Sequence, residues 1–315
     1  MLIVGCMPML ACAATPDYPR RTIRMIVAFS PGGGTDITGR IAAQAITEGL
    51  GQAVVVDNRP GSGGIIGTVL AARALPDGYT LITGGTGSHA INPALYASIP
   101  YDPVRDFAPV TLVASTPYLM VVTNSLPVKS VREFIGFAKA EPGRLNMASS
   151  GAGGMPHLAG ELFQLMAGVK MTHVPYKGTG AVFPDLISGQ VQLTFGDLIA
   201  AFPHVKGGRL RALAITSPKR VASLPDVPTV AEAGLPGYEA VGWFGVFAPA
   251  ATPGRIVDAL QGAIAGYLEK PEARERLAGL GADVVANRPQ EFAAVLKADI
   301  ARWARVVRES GAKVE

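Results

Sequence analysis

The sequence predicts an α/β protein, because apolar strand-like runs alternate with helical patterns along most of the chain. Of its 315 residues, 49% are hydrophobic and 17% are charged, which is enough apolar material for about two domains with large cores. The 38 glycines and 25 prolines form no repeat and indicate many tight turns. Alternating strands and helices form βαβ units, which imply parallel strands and right-handed crossovers.

The first third of the chain has the pattern βαβαβ. Each expected strand is a short apolar run, and each expected helix follows a glycine-rich turn. The expected strands are residues 23–29, 53–57 and 80–83. The first expected helix starts near residue 35, and the second covers residues 63–75.

The pattern resumes after a charge-free run at residues 107–128. Prolines and polar residues make this run a poor spanning helix, and it is interpreted as two strands, 110–114 and 118–123, broken at Pro117. A second α/β unit follows. Its expected helices are 131–140, 154–167, 181–188 and 198–206, and its expected strands are 145–148, 171–174, 191–195 and 210–216.

The C-terminal part consists of an extended aromatic segment at 238–248 and helices at 256–268 and 289–308. The last helix has one apolar face, which needs a sheet to cover, and the first lobe is the natural candidate. The chain is therefore predicted to fold into two lobes joined by two crossings. Lobe 1 comprises residues 17–123 and 239–315, and lobe 2 comprises residues 124–238.

Residues 1–13 are uncharged, largely apolar and end in Ala11-Cys12-Ala13, which is typical of a secretory signal peptide. Both cysteines, Cys6 and Cys12, lie in this segment, so cleavage would leave a protein without cysteine. A lipid anchor on Cys12 is the alternative. The net charge of +4 is spread out, without the basic stripe of a nucleic-acid-binding protein.

Two glycine-rich loops each join a strand to a helix, one in each predicted lobe. They are residues 30–36 (SPGGGTD) and residues 149–154 (SSGAGG). Backbone N–H groups and the helix dipole make such turns anion sites, although Thr35 or Asp36 could instead cap the first helix. Each loop could also be only a tight turn. Together they suggest an acidic ligand clamped between two lobes.

Enzyme motifs are missing from the sequence. The glycines at 61–67 have the wrong spacing and follow the second strand, which argues against a dinucleotide fold. No phosphate loop and no G-x-S-x-G motif occurs, and the four histidines form no metal-binding pair. We therefore predict no enzyme activity, cofactor or metal. His157 follows the second loop, and Lys177 opens a helix, where it could pair with a ligand carboxylate or lie at the surface.

Several blocks together resemble the Bug-type (Bordetella uptake gene) solute-binding proteins of tripartite tricarboxylate transporters. The resemblance runs from about Tyr18 to the C-terminus. The blocks are YPR at 18–20, VVVDNRPG at 54–61, PDGYTL at 76–81, HVPYKG at 173–178, LRALA at 210–214 and LPDVPT at 224–229.

The resemblance implies a periplasmic binding protein type II fold, in which two lobes, each a mixed sheet flanked by helices, close on a small carboxylate. Di- and tricarboxylates, acidic amino acids and aromatic acids are the implied ligands, held through backbone amides and ordered waters. The implied partner is a membrane permease, and the implied state is a periplasmic monomer; a sensory protein that signals to a membrane partner is the alternative. The implied carboxylate contacts are Phe29, Ser30, Gly33, Thr35, Asp36, Ser149, Ser150 and Gly151, and those for the distal end of the ligand are Thr86, His157, Lys177 and Asp197.

Overall fold

The structure, a computed structural model, describes residues 18–310, so the predicted signal segment and Cys12 lie outside the described residues. The strands are β1 Ile23–Val27, β2 Val54–Asn58, β3 Thr80–Gly85, β4 Phe107–Thr123, β5 Asn146–Ser149, β6 Thr172–Pro175, β7 Leu193–Asp197, β8 Leu210–Ile215, β9 Val241–Pro249 and β10 Asp283–Val284. The helices are α1 Gly34–Leu50, α2 Ile65–Ala72, α3 Asn92–Leu95, α4 Val131–Ala140, α5 Met155–Ala167, α6 Thr179–Ser188, α7 Leu198–Lys206, α8 Gly254–Leu268, α9 Pro271–Gly279 and α10 Pro289–Ser310.

The strands pair in the order β2-β1-β3-β9-β4-β7-β5-β6, with β8 and β10 pairing beside β4. As the βαβ pattern predicts, β1 is parallel to β2 and β3, and β5 is parallel to β6 and β7. Strand β4 runs antiparallel to all its neighbours. Hereafter lobe 1 is the part built on β1, β2, β3, β9, β10 and the first part of β4, and lobe 2 is the part built on β5 to β8 and the last part of β4.

Strand β4 connects the two lobes. Its residues up to Pro117 pair with β9, and its residues from Tyr118 pair with β7 and β8. The prediction of two strands broken at Pro117 was wrong, because the chain stays extended there. Proline lacks a backbone N–H, and it is tolerated at this point because the ladder changes partners there. The lobe boundaries at 123/124 and 238/239 remain a proposal.

The C-terminal helices cover lobe 1, as predicted. Helix α10 packs on β4 and on the turn that follows β3, and α8 packs on α1. The predicted apolar face of α10 lies inward: Phe292, Leu296 and Trp303 are buried, and Phe292 meets the ring of Trp243 edge-on at 5.2 Å. Aromatic burial of this kind is a large apolar contribution to stability. It also fixes β9, the strand on which the chain re-enters lobe 1.

Three elements had no counterpart in the sequence analysis. Helix α9 has four charged residues among its nine and little apolar periodicity, and strand β10 has two residues. The segment after β3 forms a turn of π-helix over Gly87–Ile91 that continues into the four residues of α3.

Candidate ligand-binding site

The loop between β1 and α1, residues 28–33 (loop 1), is held in place by Asp36. The carboxylate of Asp36 accepts hydrogen bonds of 3.0 Å from the Gly32 backbone N–H, from Asn58 Nδ2 and from Arg40 Nε. Burial alone would raise the pKa of Asp36, but these hydrogen bonds outweigh it and lower the pKa. Gly32 has a φ of +83°, which favours glycine. Asp36 therefore fixes the conformation of loop 1.

The loop between β5 and α5, residues 150–154 (loop 2), is supported by two histidines. Ser149 Oγ accepts a hydrogen bond from the Gly151 N–H at 3.1 Å and lies 2.6 Å from His173 Nε2. The Gly153 N–H donates to His157 Nδ1 at 3.3 Å. The His157 and His173 rings stack with centroids 4.0 Å apart. Burial lowers the pKa of His173 to about 4, so its ring is neutral near pH 7.

Helix N-termini from both lobes converge on one small cavity. Helices α1, α5 and α6 begin after Gly33, Gly154 and Gly178, and none of these N-cap residues offers a side chain to cap the helix. Helix α7 is capped instead by Asp197, whose Oδ1 accepts from the Ala200 N–H at 3.0 Å. The N-terminus of a helix carries partial positive charge and unsatisfied N–H groups. Three helix N-termini whose N-cap residues provide no side-chain cap therefore make this cavity a candidate anion site.

The cavity lies where the two lobes meet and has a volume of about 30 Å³. That is room for about two water molecules. Among the described residues, no lysine, arginine or histidine lines it. Attraction for an anion must therefore come from the backbone N–H groups and from hydroxyl groups.

Six of the twelve predicted site residues line the cavity, and six lie elsewhere. Ser30 and Lys177 face each other across the lobes, where the Ser30 N–H donates to the Lys177 carbonyl at 2.8 Å. The side chain of Lys177 is exposed. Asp36, Ser149, Gly151 and His157 belong to the supports of the two loops described above. The predicted residues that line the cavity are Phe29, Gly33, Thr35, Thr86, Ser150 and Asp197.

Ten further described residues line the cavity and were not among the predicted contacts, although Gly34 and Gly154 lie in the two predicted loops. Thr179 follows Gly178 in a third strand-to-helix turn. In this turn only Lys177 was predicted as a ligand contact. The sequence GGTG at 84–87 is a fourth glycine-rich strand end and was a usable signal. Tyr118 and Phe244 come from β4 and β9, and only the pairing of those strands places them here. The ten are Gly34, Gly85, Gly87, Ser88, Tyr118, Gly154, Met155, Pro156, Thr179 and Phe244.

The lobes touch at both loops. Besides the Ser30–Lys177 bond, Tyr96 Oη donates to the Ala152 carbonyl at 2.9 Å. The glycines pack backbone to backbone: a Cβ added at Gly33 would lie 3.3 Å from the Gly180 nitrogen. This is a closed arrangement, in which contacts at the two loops hold the lobes together.

A model of the family described as "Tripartite tricarboxylate transporter family receptor" matches residues 38–312. The chain belongs to this family. It is 39% identical to protein BugT of Bordetella pertussis over 320 residues, which cover 100% of this chain and 98% of BugT. The structure of Rpa4515 from R. palustris with adipate is 41% identical, with a TM-score of 0.92 over 95% of this chain and 100% of that chain. The structure of MatC from Rhodopseudomonas palustris with bound malate is 35% identical, with a TM-score of 0.89 over 92% and 100%.

Membership confirms the resemblance found in the sequence and the two-lobed fold that it implied. The family consists of periplasmic solute-binding proteins, not enzymes. Within residues 18–310, no helix is both long and apolar enough to cross a membrane. The two lobes are therefore those of a periplasmic solute-binding protein of this family.

Proposed function

We propose that this protein captures a small carboxylate in the cavity between its lobes and delivers it to the membrane permease of a tripartite tricarboxylate transporter. The observation that carries the proposal is the convergence of three helix N-termini, each with a glycine N-cap, on one cavity. Backbone donors are well suited to a carboxylate, because hydrogen bonds to a charged acceptor are strong. The hydroxyls of Thr35, Ser150 and Thr179 line the same cavity.

Similar proteins support this class of ligand. Adipate is bound in the structure of Rpa4515, and malate is bound in that of MatC. The cavity of about 30 Å³ between the touching lobes is smaller than such diacids, so a bound diacid would hold the lobes slightly farther apart than in this structure. The lobes therefore open to admit a ligand and close on it, and the permease would recognise the closed shape. Ligand contacts in both lobes shift the equilibrium toward that shape.

Thermal unfolding with a panel of acids tests the proposal. The protein is unfolded, refolded to remove bound ligand, and heated with C3–C6 dicarboxylates, citrate, acidic amino acids and aromatic acids. A ligand at 100 times its dissociation constant stabilises the protein by about 2.7 kcal/mol. This raises the melting temperature by about 5 °C for a protein of this size. The matched control is the diamide of each active diacid, which should give no shift.

A selective shift by one carboxylate class, absent with its diamide, supports the proposal and identifies the ligand class. Equal shifts with acid and diamide, or no shift with any acid on folded protein, would contradict the carboxylate site.

A further inference from the structure

The cavity contains one carboxyl group of the protein itself, that of Asp197. This residue ends β7 and precedes α7, and it is 2% exposed. Its carboxyl accepts the Ala200 N–H from α7, the Gly34 N–H from the other lobe and the hydroxyl of Thr179. Asp197 therefore lies among the same N–H and O–H donors that would bind a ligand carboxylate.

None of the described residues around Asp197 is a compensating cation. Among the described residues that line the cavity, the only other titratable side chain is Tyr118 on β4. The neighbours from α1, α6, α7 and β9 are Gly34, Thr179, Ala200 and Phe244, which carry no charge. Complete burial raises the pKa of Asp197 in spite of its hydrogen bonds, and burial together with Asp197 raises the pKa of Tyr118.

A carboxylate ligand in this cavity would place two carboxyl groups in one buried space. Two ionised carboxylates that share such a site repel each other, and the usual result is that one of the pair holds a proton. A protonated carboxyl also becomes a hydrogen-bond donor, which an anionic ligand can use.

We propose that Asp197 takes up one proton from solvent when a carboxylate ligand binds, and that its carboxyl then donates a hydrogen bond to the ligand. This inference rests on the proposed function. In binding, no covalent bond of the ligand changes, and one proton moves from solvent to an oxygen of Asp197. Above the pH at which Asp197 ionises in the ligand-free protein, ligand affinity falls up to tenfold for each unit of rising pH, because the binding of each ligand requires one proton.

Titration calorimetry measures this proton directly. The acid found in the thermal screen is titrated into the wild-type protein at one pH, in buffers with different ionisation enthalpies, and the series is repeated from pH 5 to pH 8.5. The slope of the observed enthalpy against the buffer enthalpy gives the number of protons taken up. We expect a value approaching one at its maximum.

The variant Asp197→Asn separates this residue from other sources of protons. Its amide donates at every pH, so we expect binding to persist, proton uptake to disappear and affinity to become independent of pH. Asp185→Asn is the matched control, because Asp185 lies on α6, outside the cavity lining, and accepts from Tyr176 Oη. This control should retain the uptake of the wild type.

The outcomes distinguish the two proposals. If no acid binds the wild type, the proposed function fails. If an acid binds with no proton uptake at any pH, or with equal uptake in the wild type and Asp197→Asn, the carboxylate site stands and the role of Asp197 is wrong. Selective binding of hydroxy or amino acids without proton uptake would mean that the ligand supplies the shared hydrogen, which also overturns the inference. A wild-type titration without proton uptake refutes the inference even if Asp197→Asn does not fold.

Discussion

Replacing Gly180 by alanine tests whether binding requires the lobes to close. Gly180 is the second residue of α6, and an added Cβ would overlap the Pro31 carbonyl oxygen of the opposite lobe. It would also lie 2.9 Å from the Gly33 nitrogen. These atoms are backbone and have no alternative rotamer. The methyl group would therefore act as a wedge between the lobes.

The expected loss of ligand affinity follows from the interlobe contacts that the added methyl group breaks. The hydrogen bonds from the Ser30 N–H to Lys177 and from Tyr96 Oη to Ala152 both join the lobes. Each is worth about 1 kcal/mol, so losing both costs about 2 kcal/mol of closure energy and weakens ligand binding about 30-fold. Lobe 2 itself should not suffer, because alanine is a better helix former than glycine.

Calorimetry with the acid found in the thermal screen measures the affinity, and circular dichroism confirms the fold. Gly136→Ala on α4 is the control, because an added Cβ there meets no atom within 4 Å. We expect it to bind like the wild type. If Gly180→Ala is folded and binds with wild-type affinity, the closed arrangement is not the binding form, and the reasoning from interlobe contacts is refuted.

Three smaller changes test the parts of the site separately. Tyr96→Phe removes one interlobe hydrogen bond, so ligand affinity should fall about fivefold by calorimetry, with thermal stability of the free protein little changed. His173→Leu removes the partner of Ser149 behind loop 2 and should weaken binding to a similar degree, whereas His173→Gln, which can still bond to Ser149, should restore most of it. The folded-state pKa of His173 is about 4, below that of the unfolded chain. The contribution of His173 to stability is therefore lost as pH falls from about 6.5 toward 4. His173→Gln should flatten that part of a plot of melting temperature against pH. The pKa of Asp36 is lowered by folding, so its contribution is present above about pH 4 and lost below; Asp36→Asn should lower the melting temperature at pH 7, and an unchanged value would contradict its role with Arg40.

Local patterns predicted most of the elements, because strands and helices in βαβ units carry their own periodicity. Helices α4 and α7 have the predicted bounds. The position of Pro117 shows where such reasoning fails. A proline predicts a strand end unless one knows that the strand changes partners at that residue, and partner changes are set by tertiary pairing.

The site was predictable to the extent that it is made of local turns. The two glycine-rich loops do meet at one cavity, and Gly33 and Ser150 line it. His157 illustrates the opposite case. Its place in sequence, directly after loop 2, suggested a ligand contact, but its ring turns back to accept from Gly153 and to stack on His173. Side-chain direction on the first turn of a helix depends on what packs behind that turn, and a single sequence does not contain this information.

Under the proposed function, the glycine N-caps would explain how a cavity with no cation among its described lining residues can hold an anion and release it. A lysine or arginine at the cavity would bind a carboxylate in the open form as well as in the closed one. Backbone N–H groups on helices from opposite lobes converge only on closure, so most of the binding energy becomes available only in the closed state. Under the proposal for Asp197, an anion enters that closed space only with a proton, and this requirement limits affinity as the pH rises. A receptor that releases its ligand to a permease needs both features: tight binding when the lobes are closed, and weak binding once the lobes separate.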